Sequence, residues 1–268
     1  MSSNKDAMKN ILIVALSVCF ICSVVVAGAA VSLKPERLAN KELDRNKNIL
    51  IAAGLFEKGI TQDSEIENLF ESFEIRVVDL KSQRLLTPDE VEQTNINFER
   101  YDQRKAAKDP SMSVALTTIE DTASISSRAD YSIIYLLKRE GELERVVLPV
   151  HGYGLWSTLY GFISVQADGN TVSGITFYEH QETAGLGGEV DNPRWKGLWP
   201  GKKIYGENGD VALEVIKGSV VLGSSSADYQ VDGLSGATLT SRGVTNLLEY
   251  WLGNQAFGPV LKDLGGRT

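Results

Sequence analysis

From Ile11 to Leu33 the chain runs 23 residues without a charge, bounded by Lys9 and Lys34. About 20 apolar residues suffice for a helix to cross the hydrocarbon core of a bilayer. A cleavable signal sequence competes for this segment, since Ala27-Gly28-Ala29 offers a small-residue cleavage site. The apolar run continues through Val31 and Leu33, and an uncleaved anchor is expected. Beyond Pro35 the pattern turns polar. Glu36 to Ala53 predicts a mostly polar helix whose apolar positions are Leu38, Ile49, Leu50 and Ala53, with Gly54 ending it. Ile66, Leu69, Phe70 and Phe73 stand at helical spacing and predict a short second helix from Ser64. The stretch Thr87 to Asp121 is polar, includes Tyr101-Asp-Gln-Arg-Lys-Ala-Ala-Lys108, and leaves a surface excursion and a contact arm equally open. From Tyr131 the period changes to that of strands: Tyr131–Leu137 and Val146–Val150 around a charged turn at Gly141, then Gly161–Ala167 and Thr171–Tyr178 around Asp168-Gly169-Asn170, a hairpin signal. Val211–Ile216 predicts another strand. Val244, Leu247, Leu248, Trp251 and Leu252 then mark a helix from about Ser241 to Leu252, stopped by Gly253.

These elements predict an α+β fold in three parts: an N-terminal segment with a single transmembrane helix (1–33), a helical stalk with a polar excursion (34–130), and an antiparallel-sheet domain (131–268). Hydrophobic residues make up 43% and charged residues 23% of the 268, values ordinary for a folding chain. The formal net charge of -8 argues against nucleic acid as a partner, because phosphate backbones need clustered Lys and Arg. Lys5 and Lys9 precede the apolar span, whereas Lys34, Arg37, Lys41, Arg45 and Lys47 follow it, so the positive-inside rule places the C-terminal part in the cytoplasm. Both cysteines, Cys19 and Cys22, lie inside the span on one helix face. Two thiolates cannot complete a four-ligand metal site, and a small-apolar role suits them better. His151 and His180 are the only histidines and have no companions at metal-ligand spacing, so no metal site is expected.

Candidate chemistry concentrates just before the last helix, in Asp232-Gly-Leu-Ser-Gly-Ala-Thr238. Glycines and small side chains let a bulky group approach the backbone. A helix start at Thr240 or Ser241 would present free N–H groups and a positive dipole end to a phosphate. Ser and Thr before a helix are, however, most often plain caps, and by local physics the capping reading wins.

Ser235-Gly-Ala-Thr238, with Asp232 three residues ahead, resembles the flavinylation motif of the FMN-binding domain family. His180-Gln-Glu-Thr-Ala-Gly-Leu-Gly-Gly-Glu189 is similar to that family's H-x-E-T-P-G-L-G segment, with Ala184 in place of the Pro. Gly152-Tyr-Gly-Leu-Trp156 resembles its G-x-G-L-W, and Trp195 with Gly201-Lys-Lys203 its W…GK element. Through the anchor, the Tyr101–Lys108 segment and Trp251-Leu-Gly…Phe257-Gly-Pro259, the resemblance extends over nearly the whole chain. It is to the C subunits of the Na+-translocating NADH:quinone oxidoreductases first, and to the G subunits of Rnf electron-transport complexes second. The resemblance implies FMN esterified through its phosphate to Thr238 by a separate flavin transferase that uses FAD. It also implies Ser235, Gly236 and Ala237 about the phosphate, and Glu182, Thr183, Gly185, Leu186 and Gly187 as the opposite wall. Trp156 and Tyr153 stack on the flavin or belong to the core. No residue of this chain is expected to be catalytic, and no dinucleotide fingerprint is present. The implied partners are the other members of an assembly of six subunits, the transferase and the lipid bilayer. The implied place is the bacterial inner membrane with the C-terminal domain periplasmic, against the charge count. A non-redox anchored module and a cleaved soluble flavoprotein are the competing readings.

Overall fold

The computed structural model describes residues 3–57, 59–94 and 96–266. Met1, Ser2, Arg267 and Thr268, the outer ends of the first and last predicted parts, lie outside the described residues. The chain divides into two compact units, Met1–Arg45 and Asn46–Thr268, so the boundary expected near residue 131 does not coincide with a division of the chain. The first unit is helical: α1 (Ser3–Ser32) is followed directly by α2 (Lys34–Ala52). Met8–Ser32 has mean hydropathy 2.9, is wholly exposed, and is long and apolar enough to cross a membrane.

The second unit begins with the last turns of α2, where Ile49, Leu50 and Ala52 are buried. Gly54 ends the helix as expected. At φ +71 it lets Leu55 N–H reach Leu50 O and its own N–H reach Ile51 O, a paired closure that satisfies otherwise free carbonyls. Then come α3 (Ile66–Phe70), strands β1 (Phe73–Asp79) and β2 (Arg84–Leu85), short helices α4 (Pro88–Gln93) and α5 (Gln103–Ala106), and the small ladder of β3 (Ser113–Ala115) with β4 (Ser127–Ala129). The long strands follow: β5 (Tyr131–Arg139), β6 (Glu142–Tyr153), β7 (Thr158–Gln166) and β8 (Val172–Glu179). The six-stranded sheet has the order β2-β1-β5-β6-β7-β8 and its ladders are antiparallel. Both expected hairpins are present. Glu140 and Gly141 take positive φ at the first turn, as a tight two-residue loop requires. Asp168 Oδ1 accepts from Asn170 and Thr171 N–H at the second. After α6 (Pro193–Lys196) come β9 (Glu214–Val215), paired in parallel with β10 (Gln230–Val231), then α7 (Thr238–Leu252) and α8 (Gly258–Leu264).

Three sequence expectations are corrected. Phe73 opens β1 rather than closing a helix, so the 34–130 segment supplies a strand to the main sheet. Val211–Ile216 shrinks to β9, because Val211 pairs instead with Tyr205 in an isolated bridge. The last helix starts at Thr238, not at Thr240 or Ser241. The polar excursion is a strap on the sheet. Tyr101 donates to Tyr131 O at 2.8 Å, and the Arg104 guanidinium lies 3.4 Å over the Tyr160 ring and pairs with Glu179 at 2.7 Å.

α7 packs on β6. Val146, Leu148 and Val150 share one buried cluster with Val244, Leu247, Leu248 and Trp251. Burial of each such side chain contributes about 1.5–3 kcal/mol. The other face of the sheet receives the end of α2: a Cβ added at Gly174 would lie 2.6 Å from Ala52 O. On the α7 side, a Cβ at Gly152 would lie 2.5 Å from Leu247 Cβ, and one at Gly243 2.4 Å from Tyr153 O. Helix and strand therefore meet through two glycines, where backbones approach too closely for any side chain. We expect Gly152→Val to lift α7 from β6 and cost about 1–3 kcal/mol by overpacking. This would appear as a lower melting temperature in circular dichroism, and an unchanged melt would show that the close approach is not required.

Candidate functional site

Two of the sequence motifs and the first turn of α7, just past the third, are brought together around one carboxylate. Glu182, only 8% exposed, follows β8 and reaches into the turn between β6 and β7. Its Oε1 accepts from the N–H groups of Leu155 (3.1 Å), Trp156 (2.9 Å) and Ser157 (3.2 Å). Its Oε2 accepts from the Thr240 hydroxyl at 2.7 Å, in the first turn of α7. Two glycines make room: a Cβ at Gly154 would stand 2.7 Å from Oε1, and one at Gly187 would stand 2.7 Å from Oε2. Burial would push the Glu182 carboxyl up. The hydrogen bonds from Thr240, Trp156, Ser157 and Leu155 outweigh it and hold the group below the usual carboxylate range. The loop is braced from behind. Glu182 N–H donates to His180 Nδ1 at 3.3 Å, leaving Nε2–H to face Asp191 Oδ2 at 2.9 Å. The other histidine, His151, is packed against Trp251 and Tyr160, where burial and then nearby Arg104 lower its pKa to about 4.

The turn before α7 is equally determined. Gly236 takes φ +72, and a Cβ there would lie 2.9 Å from Leu186 Cδ2, so Leu186 rests directly on the turn. Ala237 N–H donates to Leu234 O, and Leu234 N–H donates to the buried Ser241 hydroxyl. Asp232 faces away from this turn: its Oδ1 accepts from Val220 N–H and its carbonyl from Trp195 Nε1–H, each at 2.8 Å. That contact explains the place of Trp195 in the sequence pattern. The cap of α7 is Ala237, which has no side-chain acceptor, so neither Ser235 nor Thr238 caps this helix.

The ten residues singled out in the sequence separate into an outer and an inner group. Ser235, Gly236, Thr238, Thr183, Gly185, Leu186 and Trp156 are exposed; Glu182, Gly187 and Ala237 are buried. Glu182 and Gly187 therefore lie beneath the exposed residues of the two loops. Thr183 closes its loop through its carbonyl, which accepts from Leu186 and Gly188 N–H, and Gly185 supplies φ +75. The core reading of Trp156 and Tyr153 is overturned: they are 65% and 45% exposed. Sequence reasoning missed Thr240, which begins the buried stripe of α7 (Thr240, Val244, Leu247, Trp251) and could have been found by extending that period one turn back. It also missed Leu239, 53% exposed beside Thr238, which carries no sequence signal of its own.

Residues 154–253 match the FMN-binding domain family, a span that contains all three clustered segments except Gly152 and Tyr153. The C subunit of the Na(+)-translocating NADH-quinone reductase of Pseudomonas aeruginosa is 50% identical over 98% of this chain and 98% of its own length. That of Vibrio anguillarum is 44% identical over 97% and 96%. The crystal structure of Shewanella oneidensis NqrC superposes with a TM-score of 0.74 at 32% identity, over 85% of this chain and 99% of that one. Full-length similarity at this level leaves a single assignment: the chain belongs to the family of Na(+)-translocating NADH-quinone reductase C subunits.

Proposed function

We propose that this chain carries one FMN bonded through its phosphate to Thr238 Oγ1, and passes electrons between neighbouring subunits of a six-subunit Na+-translocating NADH:quinone reductase. The observation that carries the tether is how the hydroxyls around the turn are divided. Thr240 and Ser241 are buried and engaged, with Glu182 and with Leu234 N–H, whereas Thr238 and Ser235 are exposed. Thr238 is also the first residue of α7, where N–H groups lack helical acceptors and the dipole favours an anion. The surface suits a flavin. Trp156, Tyr153, Leu186 and Leu239 offer exposed aromatic and aliphatic faces near the turn, and the positive φ of Gly236 leaves that turn without a side chain.

FMN, when bound, supplies reversible electron uptake and release. The chain's own residues position it. Thr238 anchors; Ser235, Gly236 and Ala237 shape the phosphate turn; Thr183, Gly185 and Leu186 face it from the other loop. Trp156 offers its ring, held by the Glu182–N–H bond. Glu182 and Gly187 act one layer below, fixing the Trp156 loop against the first turn of α7. The ester is formed by a flavin transferase from FAD, so Thr238 needs no base in this chain. The Met8–Ser32 helix anchors the chain in the lipid bilayer of the inner membrane. The flavin unit is periplasmic, where that transferase acts, and a folded domain of this size can be exported despite flanking positive charge. The full-length relatives favour this assignment over the Rnf-type subunit and over a non-redox module.

With co-expressed flavin transferase, the denatured wild-type chain is expected to fluoresce in a gel, Thr238→Ala to be dark and Ser235→Ala to keep its band. A dark wild type would remove the tether. Glu182→Gln deprives the buried Thr240 hydroxyl of its acceptor and is expected to cost about 1–3 kcal/mol. The folded carboxyl titrates below the unfolded one, so this margin is complete above the ordinary carboxylate pKa of about 4.3 and is lost as pH falls through the folded value. Denaturant unfolding of both proteins from pH 7 to pH 3 checks it, and a gap that widens with acid would refute the sign. A C-terminal alkaline phosphatase fusion is expected to be active and a C-terminal green fluorescent reporter dark. The reverse pattern would place the domain in the cytoplasm.

A further inference from the structure

α7 begins against the usual electrostatic preference. Its N-cap offers no side-chain acceptor and its first turn holds no acidic residue. One turn in, at the fifth residue of the helix, stands a cation, Arg242. Thr238 and Arg242 are both exposed and four residues apart, so they share one face of the helix. Helical side chains lean toward the N-terminus, and the Arg242 side chain is long enough to reach back to the turn that bears Thr238. Among the described residues Arg242 makes no ion pair or hydrogen bond, whereas Arg84 and Arg104 each close on a carboxylate. A cation without a partner one turn past an uncapped helix start would find one in an anion at Thr238.

We propose that Arg242 binds the phosphate oxyanion of the flavin tethered at Thr238, completing with the first-turn N–H groups of α7 a site for a phosphodiester monoanion. This rests on the covalent reading of Thr238. A guanidinium meets phosphate oxygens through two parallel N–H donors, which an ammonium cannot reproduce. Attachment of the flavin then stabilises the fold, through a residue that gives the unloaded chain nothing.

The test uses the full-length chain in detergent, expressed with and without a flavin transferase, as wild type, Arg242→Gln and Arg242→Lys. In-gel fluorescence reports loading, and thermal unfolding is followed by circular dichroism. Loading is expected to raise the wild-type melting temperature by roughly 2–4 °C. Arg242→Gln should lose most of that rise and Arg242→Lys part of it, with the differences shrinking at high salt. Without the transferase, Arg242→Gln should melt no lower than wild type. An equal rise in loaded wild type and loaded Arg242→Gln overturns the role of Arg242 and leaves the tether standing, as does an equal loss in loaded and unloaded chains. A dark wild-type band overturns both readings. If Arg242→Gln fails to load, Arg242→Lys and the salt series carry the comparison: a wild-type rise that neither reduces overturns the assignment.

Discussion

A carboxylate taken out of water must have its charge met by donors, and at Glu182 that demand organises the site. Four groups from two other segments converge on it: three successive backbone N–H groups and the Thr240 hydroxyl. An unmet ion at this depth would be costly, so these segments are held to one arrangement. The surrounding glycines follow from the same constraint. Gly154 and Gly187 leave space for the carboxylate itself, and Gly243 lets α7 come near enough to Tyr153 for Thr240 to reach it. Segments far apart in sequence thus form one unit in space: Glu182 joins the turn at residues 155–157 to Thr240, just past the third motif, and Leu186 rests on Gly236 within it.

The same geometry decides which groups face outward. A helix that turns Thr240 and Ser241 inward turns Thr238 and Leu239 outward, because residues two positions apart lie on different sides of a helix. The first turn of α7 is left without a side-chain cap. Leu186, resting on Gly236, closes the space beside the turn without covering Thr238. The inner layer is hydrogen-bonded; the outer layer is apolar, small or uncapped, as the proposed attachment surface would require.

Much of the sheet was legible in the sequence because alternation and hairpin turns are local signals: Glu140-Gly141 and Asp168-Gly169-Asn170 carry their geometry with them. β1 was not, since Phe73 also fits a helical period with Ile66, Leu69 and Phe70, and only its pairing with β5 resolves the ambiguity. The start of α7 was misplaced for a related reason: Ser and Thr beside a helix read as caps, yet here Ala237 occupies that position. Glu182 was legible as part of a motif but its direction was not. That a carboxylate points inward depends on donors from residues 155–157 and 240, which no local pattern brings together. Trp156 shows the converse. A large aromatic is core-like by composition, and only the fold, by ending β6 at Tyr153, leaves it on the surface.

The exposure of Trp156 and Leu186 bears on why the proposed covalent bond would suit this site. A non-covalent flavin pocket usually encloses most of its ligand and obtains affinity from that burial. Here the residues proposed to face the flavin are themselves partly in solvent, and more than half of Trp156 remains so. An ester bond makes enclosure unnecessary, since a tethered group cannot be lost by dissociation. What enclosure would have hidden would then stay open, as the proposed relay needs: an edge of the ring from which electrons could pass to a neighbouring protein. The arrangement that makes the surface poor for reversible binding is the one that would serve the proposed relay, with the ester proposed at Thr238 supplying permanence and the hydrogen-bonded layer around Glu182 supplying position.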